Sequence, residues 1–301
     1  MNKPRKKLLV MAGYKCNNNC VFCSAESFAK SRLNRSTGEI AAQIIANGKK
    51  YRTIEFIGGE FTIRKDAIYL IALAKKSGYD FISLETNGRM FANKNFCKKA
   101  AEAGLSLIVF SIHGSDARTH DALTRAPGSF DQAIAGIKNL SSYPEVRIKT
   151  NFVITKKNYR QIPAFVKKMK KITNIEQMRF SFIRPVNLSD AALEKMMPDY
   201  SRVMPFLKKV ENEEVKFQFI PLCMAGPKRF ASQEAKKLTR KNYGQFESEI
   251  DLFKSLSQDF VRPKVCDRCA ERESCLGIPG RYLALRGERR IEADFLPFGP
   301  L

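Results

Sequence analysis

Short apolar runs alternate with segments of helical periodicity along most of the chain. The runs are rich in β-branched and aromatic residues and predict strands at 8–14, 53–57, 81–85, 105–112, 146–154, 178–183 and 216–220. Apolar residues at helical spacing between them predict helices at 36–50, 66–77, 93–103, 116–123, 129–141, 158–171 and about 190–210. Repeated strand–helix pairs imply a parallel sheet with right-handed crossovers, in either a doubly wound or a barrel arrangement.

The periodic pattern fades beyond Cys223, and the stretch 263–301 is rich in Cys, Gly, Pro and Arg. We therefore predict an α/β domain over residues 1–222, followed by a cysteine-rich extension over 223–301.

The chain is strongly basic, with 53 Lys and Arg against 30 Asp and Glu and a net charge of +23. Such an excess favours an anionic partner, although a solvated basic surface would also account for it. No apolar run approaches the roughly 20 residues that a membrane-spanning helix needs. The apolar part of the basic start, 8–11, is also shorter than a secretory core. We expect a cytoplasmic protein that spans no membrane.

The eight cysteines fall into two groups and one isolated residue, Cys97. The first group is Cys16, Cys20 and Cys23, and the second is Cys223, Cys266, Cys269 and Cys275. Since disulfides are disfavoured in the cytoplasm, groups of three and four indicate metal sites better than paired bridges.

The first group follows directly on the first predicted strand, where loops of parallel α/β folds bind ligands. Three thiolates spaced four and three residues apart fit one compact cluster. They leave the fourth iron of a [4Fe–4S] cluster without a protein ligand, so that iron is free to chelate a small molecule. The alternatives are a zinc site that lacks its fourth ligand and buried structural cysteines.

Cys16-x3-Cys20-x2-Cys23, with Phe22 before the last cysteine, resembles the signature of radical S-adenosylmethionine enzymes. The resemblance extends over roughly residues 8–185. It implies a partial (β/α)6 barrel and a [4Fe–4S] cluster whose open iron is chelated by S-adenosylmethionine. It further implies reductive cleavage of S-adenosylmethionine to a 5′-deoxyadenosyl radical, with electrons from a reductase such as flavodoxin or ferredoxin.

Other loops at predicted strand ends resemble cofactor-binding positions of the same family. Gly58-Gly59-Glu60 resembles the motif that grips the methionine amino group, and Arg184 would face the methionine carboxylate. The remaining candidates are Asn87, Ser111 and Asn151. Asn87 would otherwise belong to an Asn-Gly turn, and Asn151 to plain core packing. His113 is a candidate for contact with substrate, and His120, in the predicted helix 116–123, is expected at the surface.

Cys266-x2-Cys269-x5-Cys275, with Cys223 as a fourth ligand, predicts a second metal site. Zinc and a [4Fe–4S] cluster both fit this spacing. The run is similar to part of the SPASM extension of radical S-adenosylmethionine maturases, but Pro279 stands where that pattern continues with another cysteine. Four cysteines would ligate one auxiliary cluster, as in a smaller twitch-like region.

The leading hypothesis is an enzyme that modifies a peptide or protein, with the basic surface receiving an acidic segment. The enzymatic alternative is cofactor synthesis or nucleoside and tRNA modification. The non-enzymatic alternative is a nucleic-acid-binding protein stabilised by zinc or an iron–sulfur cluster.

Overall fold

A computed structural model describes residues 7–23, 34–172, 175–185, 188–226, 246–247 and 259–295. The strands are β1 (Lys7–Met11), β2 (Thr53–Ile57), β3 (Phe81–Thr86), β4 (Leu107–Ser111), β5 (Arg147–Ile154), β6 (Gln177–Phe182), β7 (Val215–Gln218), β8 (Phe246–Glu247), β9 (Phe260–Val261) and β10 (Ile278–Pro279). The helices are α1 (Thr37–Asn47), α2 (Ala67–Lys76), α3 (Lys94–Glu102), α4 (Ala117–Thr124), α5 (Ser129–Leu140), α6 (Ile162–Ile172), α7 (Asp190–Met196), α8 (Tyr200–Lys208), α9 (Leu222–Ala225), α10 (Gly280–Arg286) and α11 (Glu288–Phe295).

Strands β1 to β7 form one parallel sheet in simple chain order, and β8 pairs in parallel with the outer edge of β1. In a doubly wound sheet the strand order reverses at one point, whereas barrel folds add each strand beside the last. The sequential order therefore confirms the predicted α/β fold and decides for the barrel arrangement, which is left open between β7 and β8.

The two faces of the sheet differ in chemistry. On β5, Ile148, Phe152 and Ile154 are buried against the helices, while the intervening Lys149 and Asn151 face the opposite side. That inner face carries charged pairs, including Lys7 with Glu55 and Arg179 with Glu85. The lumen of this partial barrel is thus a polar surface, unlike the packed interior of a closed barrel.

Two predicted elements end differently in the structure. The first strand stops at Met11, because Gly13 adopts a φ of 128° and turns its carbonyl towards Gly59. The predicted helix at 190–210 is two helices, α7 and α8, divided at Pro198. Proline disfavours helical backbone in the residue before it, which explains the break at Met197.

The C-terminal segment packs on the barrel through α8. The Asp294 carboxylate accepts the backbone N–H groups of Tyr200 (2.9 Å) and Ser201 (2.6 Å) and the Tyr282 hydroxyl (2.8 Å). A carboxylate at these N–H groups caps the start of α8. The proposed domain boundary at 222/223 stays a prediction, and most of the stretch 226–262 lies outside the described residues. No helix in the described ranges is both long and apolar enough to cross a membrane.

Candidate active site at the carboxyl edge of the sheet

The segment that leads from β1 to Cys16 is held against the loop after β2 by three backbone hydrogen bonds. Ala12 donates to the carbonyl of Ile57 (3.0 Å), Gly59 to that of Gly13 (2.8 Å) and Glu60 to that of Lys15 (2.8 Å). The parallel pairing of β1 with β2 therefore continues past the strand ends and fixes the start of the cysteine loop.

Gly58 and Gly59 are required for this contact. A Cβ on Gly58 would lie 2.4 Å from the Gly13 oxygen, and one on Gly59 would lie 2.4 Å from the Lys15 oxygen and 2.5 Å from that of Tyr14. All of these are backbone atoms, which cannot rotate away. The two glycines thus allow the cysteine loop to approach the loop after β2 closely. The sequence predicted a different role for them, contact with the cofactor, which stays a prediction.

The Glu60 carboxylate is buried, with 3% of the residue exposed, and accepts four hydrogen bonds. One oxygen accepts from the Thr62 N–H (3.0 Å), the Thr62 hydroxyl (2.5 Å) and the Thr86 hydroxyl (2.8 Å), and the other accepts from the Asn87 N–H (2.6 Å). Burial raises the pKa of Glu60, and these hydrogen bonds lower it in part. The carboxylate ties the loops after β2 and β3 together.

The three asparagines between Cys16 and Cys20 are held by side chains from neighbouring loops. The Asn87 amide donates to Asn17 Oδ1 (2.6 Å). Arg89 donates to the Asn17 carbonyl and to Asn18 Oδ1, and Arg125 donates to the Asn19 carbonyl and to Asn19 Oδ1.

Backbone hydrogen bonds from Asn19 to the Thr124 carbonyl (2.8 Å) and from Val21 to the Leu123 carbonyl (2.9 Å) dock the loop on the end of α4. The sequence analysis missed both arginines, since their partners include backbone carbonyls, for which the residue pattern gives no signal.

The three thiols influence one another electrostatically. Burial raises the pKa of Cys20 to about 12, and the neighbouring Cys23 and Cys16 add to the effect. Burial also raises the pKa of Cys16, whose sulfur accepts the Asn18 N–H (3.3 Å) and the Asn87 amide (3.8 Å). Within the described residues, no three Cys, His, Asp or Glu side chains stand in the arrangement of a bound metal ion. The fit to a cluster therefore rests on donor chemistry: adjacent thiols that repel as thiolates, with N–H groups directed at sulfur.

His113 joins the cysteine loop to β5. Its Nδ1 accepts the Val153 N–H (3.1 Å). Its ring packs edge-on against that of Phe22, with 4.8 Å between the ring centres. Burial lowers the pKa of His113 well below its usual range, so the ring is neutral near pH 7. The expectation of a surface position for His120 is wrong, since His120 is fully buried and its Nδ1 accepts the His113 N–H (3.0 Å).

Ser111, the last residue of β4, lies opposite Asn151 within β5. Asn151 Oδ1 accepts from Arg179 Nε (2.8 Å), and Arg179 also donates to Glu85 (2.7 Å) on β3. The anionic partner of Arg179 on β6 is therefore Glu85. Burial raises the pKa of Glu85, but the nearby guanidinium outweighs this effect and the pKa is lowered. Asn151 faces the lumen, as the alternation along β5 requires.

Arg184 follows β6 and has a carboxylate partner within the chain. Its guanidinium donates to Asp259 (2.6 Å) and lies 5.7 Å from the centre of the Phe219 ring. This pair links the barrel to the C-terminal segment. Contact between Arg184 and the methionine carboxylate remains a prediction, and that carboxylate would have to compete with Asp259 for the guanidinium.

The second cysteine group is brought together from two distant parts of the chain. Cys223 lies in α9, and burial together with Cys269, Cys275 and Cys266 raises the pKa of its thiol. The Cys275 sulfur accepts the N–H groups of Leu222 (3.4 Å) and Gly277 (3.3 Å). Burial raises the pKa of Cys266 to about 11. Cys97 is buried in α3, apart from both groups, as a small apolar residue.

A sequentially ordered parallel barrel with a sulfur-rich loop at the carboxyl end of β1 has the architecture of α/β enzymes that bind their ligands at this edge of the sheet. The family model of the Radical SAM superfamily matches residues 10–169, more than half of the chain. The protein belongs to the Radical SAM superfamily. That membership implies a [4Fe–4S] cluster and S-adenosylmethionine as its cofactors.

Curated relatives are similar to this chain at modest identity. A probable GTP 3′,8-cyclase of Sulfurisphaera tokodaii is 27% identical over 274 residues, covering 84% of this chain and 86% of the relative. A probable GTP 3′,8-cyclase of Saccharolobus islandicus is 26% identical over 209 residues, or 69% of this chain. The chain spans 66% of the length of that second relative.

Two solved structures share the fold over nearly all of the given sequence. Streptococcus suis SuiB bound to S-adenosylmethionine superimposes with a TM-score of 0.62 at 14% identity, covering 95% of this chain and 75% of that one. Native anSMEcpe with bound AdoMet gives 0.61 at 14% identity, covering 98% of this chain and 97% of that one. At these identities the likeness shows the fold alone.

Proposed function

We propose that Cys16, Cys20 and Cys23 hold the [4Fe–4S] cluster and that the enzyme uses S-adenosylmethionine to modify a nucleotide or a related anionic precursor of a cofactor. When bound, the reduced cluster supplies the electron that splits S-adenosylmethionine into methionine and a 5′-deoxyadenosyl radical. The observation that carries the proposal is the three-thiol loop at the carboxyl edge of the barrel of a Radical SAM superfamily member.

The surrounding residues would act by positioning. Gly58 and Gly59 bring the loop onto β2, and Glu60 fixes the backbone of Asn87, whose amide reaches Asn17 and the Cys16 sulfur. Ser111, Asn151 and Arg184 stay candidates for S-adenosylmethionine contact at the same edge. Asn151 and Arg179 together present a polar wall to whatever enters the lumen.

The nucleotide or cofactor alternative is favoured over the peptide hypothesis for substrate. Its support is the name of the curated relatives, probable GTP 3′,8-cyclases, together with the net charge of +23. The polar side chains of the lumen also suit a polar ligand better than an apolar one. The peptide reading draws on a solved structure of SuiB bound to precursor peptide SuiA, at 15% identity.

We further propose that Cys223, Cys266, Cys269 and Cys275 ligate an auxiliary [4Fe–4S] cluster, with zinc as the alternative. The support is the convergence of the four thiols, two of them within a tight loop in which Cys269 donates its N–H to the Cys266 carbonyl (3.1 Å). The two N–H groups on the Cys275 sulfur are those expected for a thiolate ligand.

Anaerobic reconstitution tests both assignments. If the chain holds two [4Fe–4S] clusters, about eight irons per chain are expected. A content of about four irons and one zinc would show that the second cysteine group holds a structural zinc ion. Reduced enzyme should convert S-adenosylmethionine to 5′-deoxyadenosine, and Cys20→Ala should abolish this, whereas Cys97→Ala, the matched control, should not. Turnover that persists in Cys20→Ala would refute the first assignment.

Substrate class is tested in the same assay. Formation of 5′-deoxyadenosine should rise on addition of a purine nucleoside triphosphate, with deuterium transferred from substrate to 5′-deoxyadenosine. Stimulation by an acidic peptide and by no nucleotide would reverse the choice of substrate while leaving the cluster assignment intact.

A further inference from the structure

A cationic cavity of about 400 Å³ lies between the β5–α6 loop and the turn that joins α7 to α8. Its lining residues are Lys156, Lys157, Tyr159, Arg160, Pro198 and Arg202. The β5–α6 loop leaves the carboxyl end of β5, so this wall of the cavity stands at the same edge of the sheet as the cysteine loop. Its volume falls within the range of about 300–1,000 Å³ found for small-molecule sites.

The loop that carries the cations is rigidly held. The buried Asn158 side chain accepts the Thr155 N–H (2.7 Å) and donates to the carbonyls of His113 (2.9 Å) and Val153 (2.8 Å). The Lys156 N–H donates to the Met196 carbonyl (2.7 Å), which binds the loop to the end of α7. A site of this kind spends little entropy on ordering its backbone when a ligand binds.

Arg160 is also placed in advance. Its guanidinium lies 5.6 Å from the centre of the Tyr159 ring, and its Nε donates to the Tyr159 hydroxyl (3.1 Å). The ring itself is buried and meets Phe206 edge-on at 5.3 Å. The remaining guanidinium nitrogens suit the paired oxygens of a phosphate group.

Positive charge around the cavity exceeds the available carboxylates. Glu194 lies 3.8 Å from Lys156 and also pairs with Arg286. Asp199 is shared among three arginines, at 2.9, 3.1 and 3.5 Å: Arg286, Arg290 and Arg202. Lys157 and Arg160 make no ion pair within the described ranges. The two carboxylates thus also serve Arg286 and Arg290, which do not line the cavity, so the four lining cations are only partly neutralised and a ligand with several negative charges would complete the balance.

We infer that this cavity binds the di- or triphosphate chain of a nucleotide. Naming a nucleotide rests on the proposed function, whereas the affinity for a phosphate chain rests on the cavity alone. The chain would belong either to the substrate or to a second nucleotide bound as an effector.

Titration calorimetry of the full chain with inorganic tripolyphosphate, without S-adenosylmethionine or reductant, tests the inference at physiological salt. Lys157→Gln/Arg160→Gln should weaken binding by about tenfold or more. Lys167→Gln/Lys171→Gln removes the same charge from exposed positions on α6 and should leave binding within about twofold.

Absence of tripolyphosphate binding, equal weakening in both double variants, or binding of RNA alone would overturn the inference. Where the site is supported, the KM for the nucleotide substrate separates the two sources of phosphate. A KM raised in Lys157→Gln/Arg160→Gln assigns the phosphate chain to the substrate, and an unchanged KM assigns it to an effector. The calorimetry measures no turnover. Its result therefore tests phosphate binding even if the proposed reaction is not observed.

Discussion

Replacing Gly59 by alanine should displace the cysteine loop without touching a cysteine. The added Cβ would stand 2.4 Å from the Lys15 oxygen and 2.5 Å from the Tyr14 oxygen, and ordinary contact begins near 3.4 Å. The backbone before Cys16 must therefore retreat by about 1 Å, which disrupts the bonds from Gly59 to Gly13 and from Glu60 to Lys15, both 2.8 Å. Two such bonds are worth about 1–3 kcal/mol together.

The assay is iron content and 5′-deoxyadenosine formation after anaerobic reconstitution, together with the thermal midpoint. Gly59→Ala should lose iron from the first site and most of its cleavage activity, with a lowered midpoint. The matched control is Gly38→Ala in the first turn of α1, where a Cβ meets nothing within 4 Å. That change should leave iron and activity intact and stabilise the chain by up to about 1 kcal/mol. Wild-type iron and activity in Gly59→Ala would refute the close approach of the two loops.

Three further outcomes follow from the same site. Glu60→Gln replaces one acceptor oxygen by an amide NH2 donor that faces buried donors, and it should cost about 1.5–3 kcal/mol in unfolding free energy. An unchanged urea midpoint would contradict the four-bond arrangement. Burial lowers the pKa of His120 from 6.5 to about 4, so the stability that this residue contributes above pH 6.5 should fall by about 1.4 kcal/mol per pH unit as the pH drops towards 4, in addition to the loss from the buried His113. His120→Gln should flatten that slope in urea titrations at pH 7.5 and 5.5, and a slope identical to wild type would exclude the histidine as its cause. Arg89→Gln should lower iron retention and shift the reduction potential of the first cluster, with partial rescue by Arg89→Lys and no change in the exposed control Arg118→Gln.

Hydrophobic periodicity alone determined the seven-strand parallel fold, because strand and helix repeats of 2.0 and 3.6 residues are local properties of the chain. The spacing of Cys16, Cys20 and Cys23 likewise indicated which residues would hold a cluster. The capping box at Ser36 and Glu39 forms as the residue pattern indicates.

The tertiary structure decided the features that depend on contacts between residues far apart in the sequence. The choice of barrel over doubly wound sheet depended on strand order, which periodicity does not encode. Arg89 and Arg125 reach the cysteine loop from 72 and 106 residues away, and their partners include backbone carbonyls that every residue carries. His120 is buried because His113 and Phe130 of α5 lie against its ring, although its own helix is polar in sequence. The roles of Glu60 and Arg184 were equally out of reach, since each depends on groups that folding alone brings within hydrogen-bond distance.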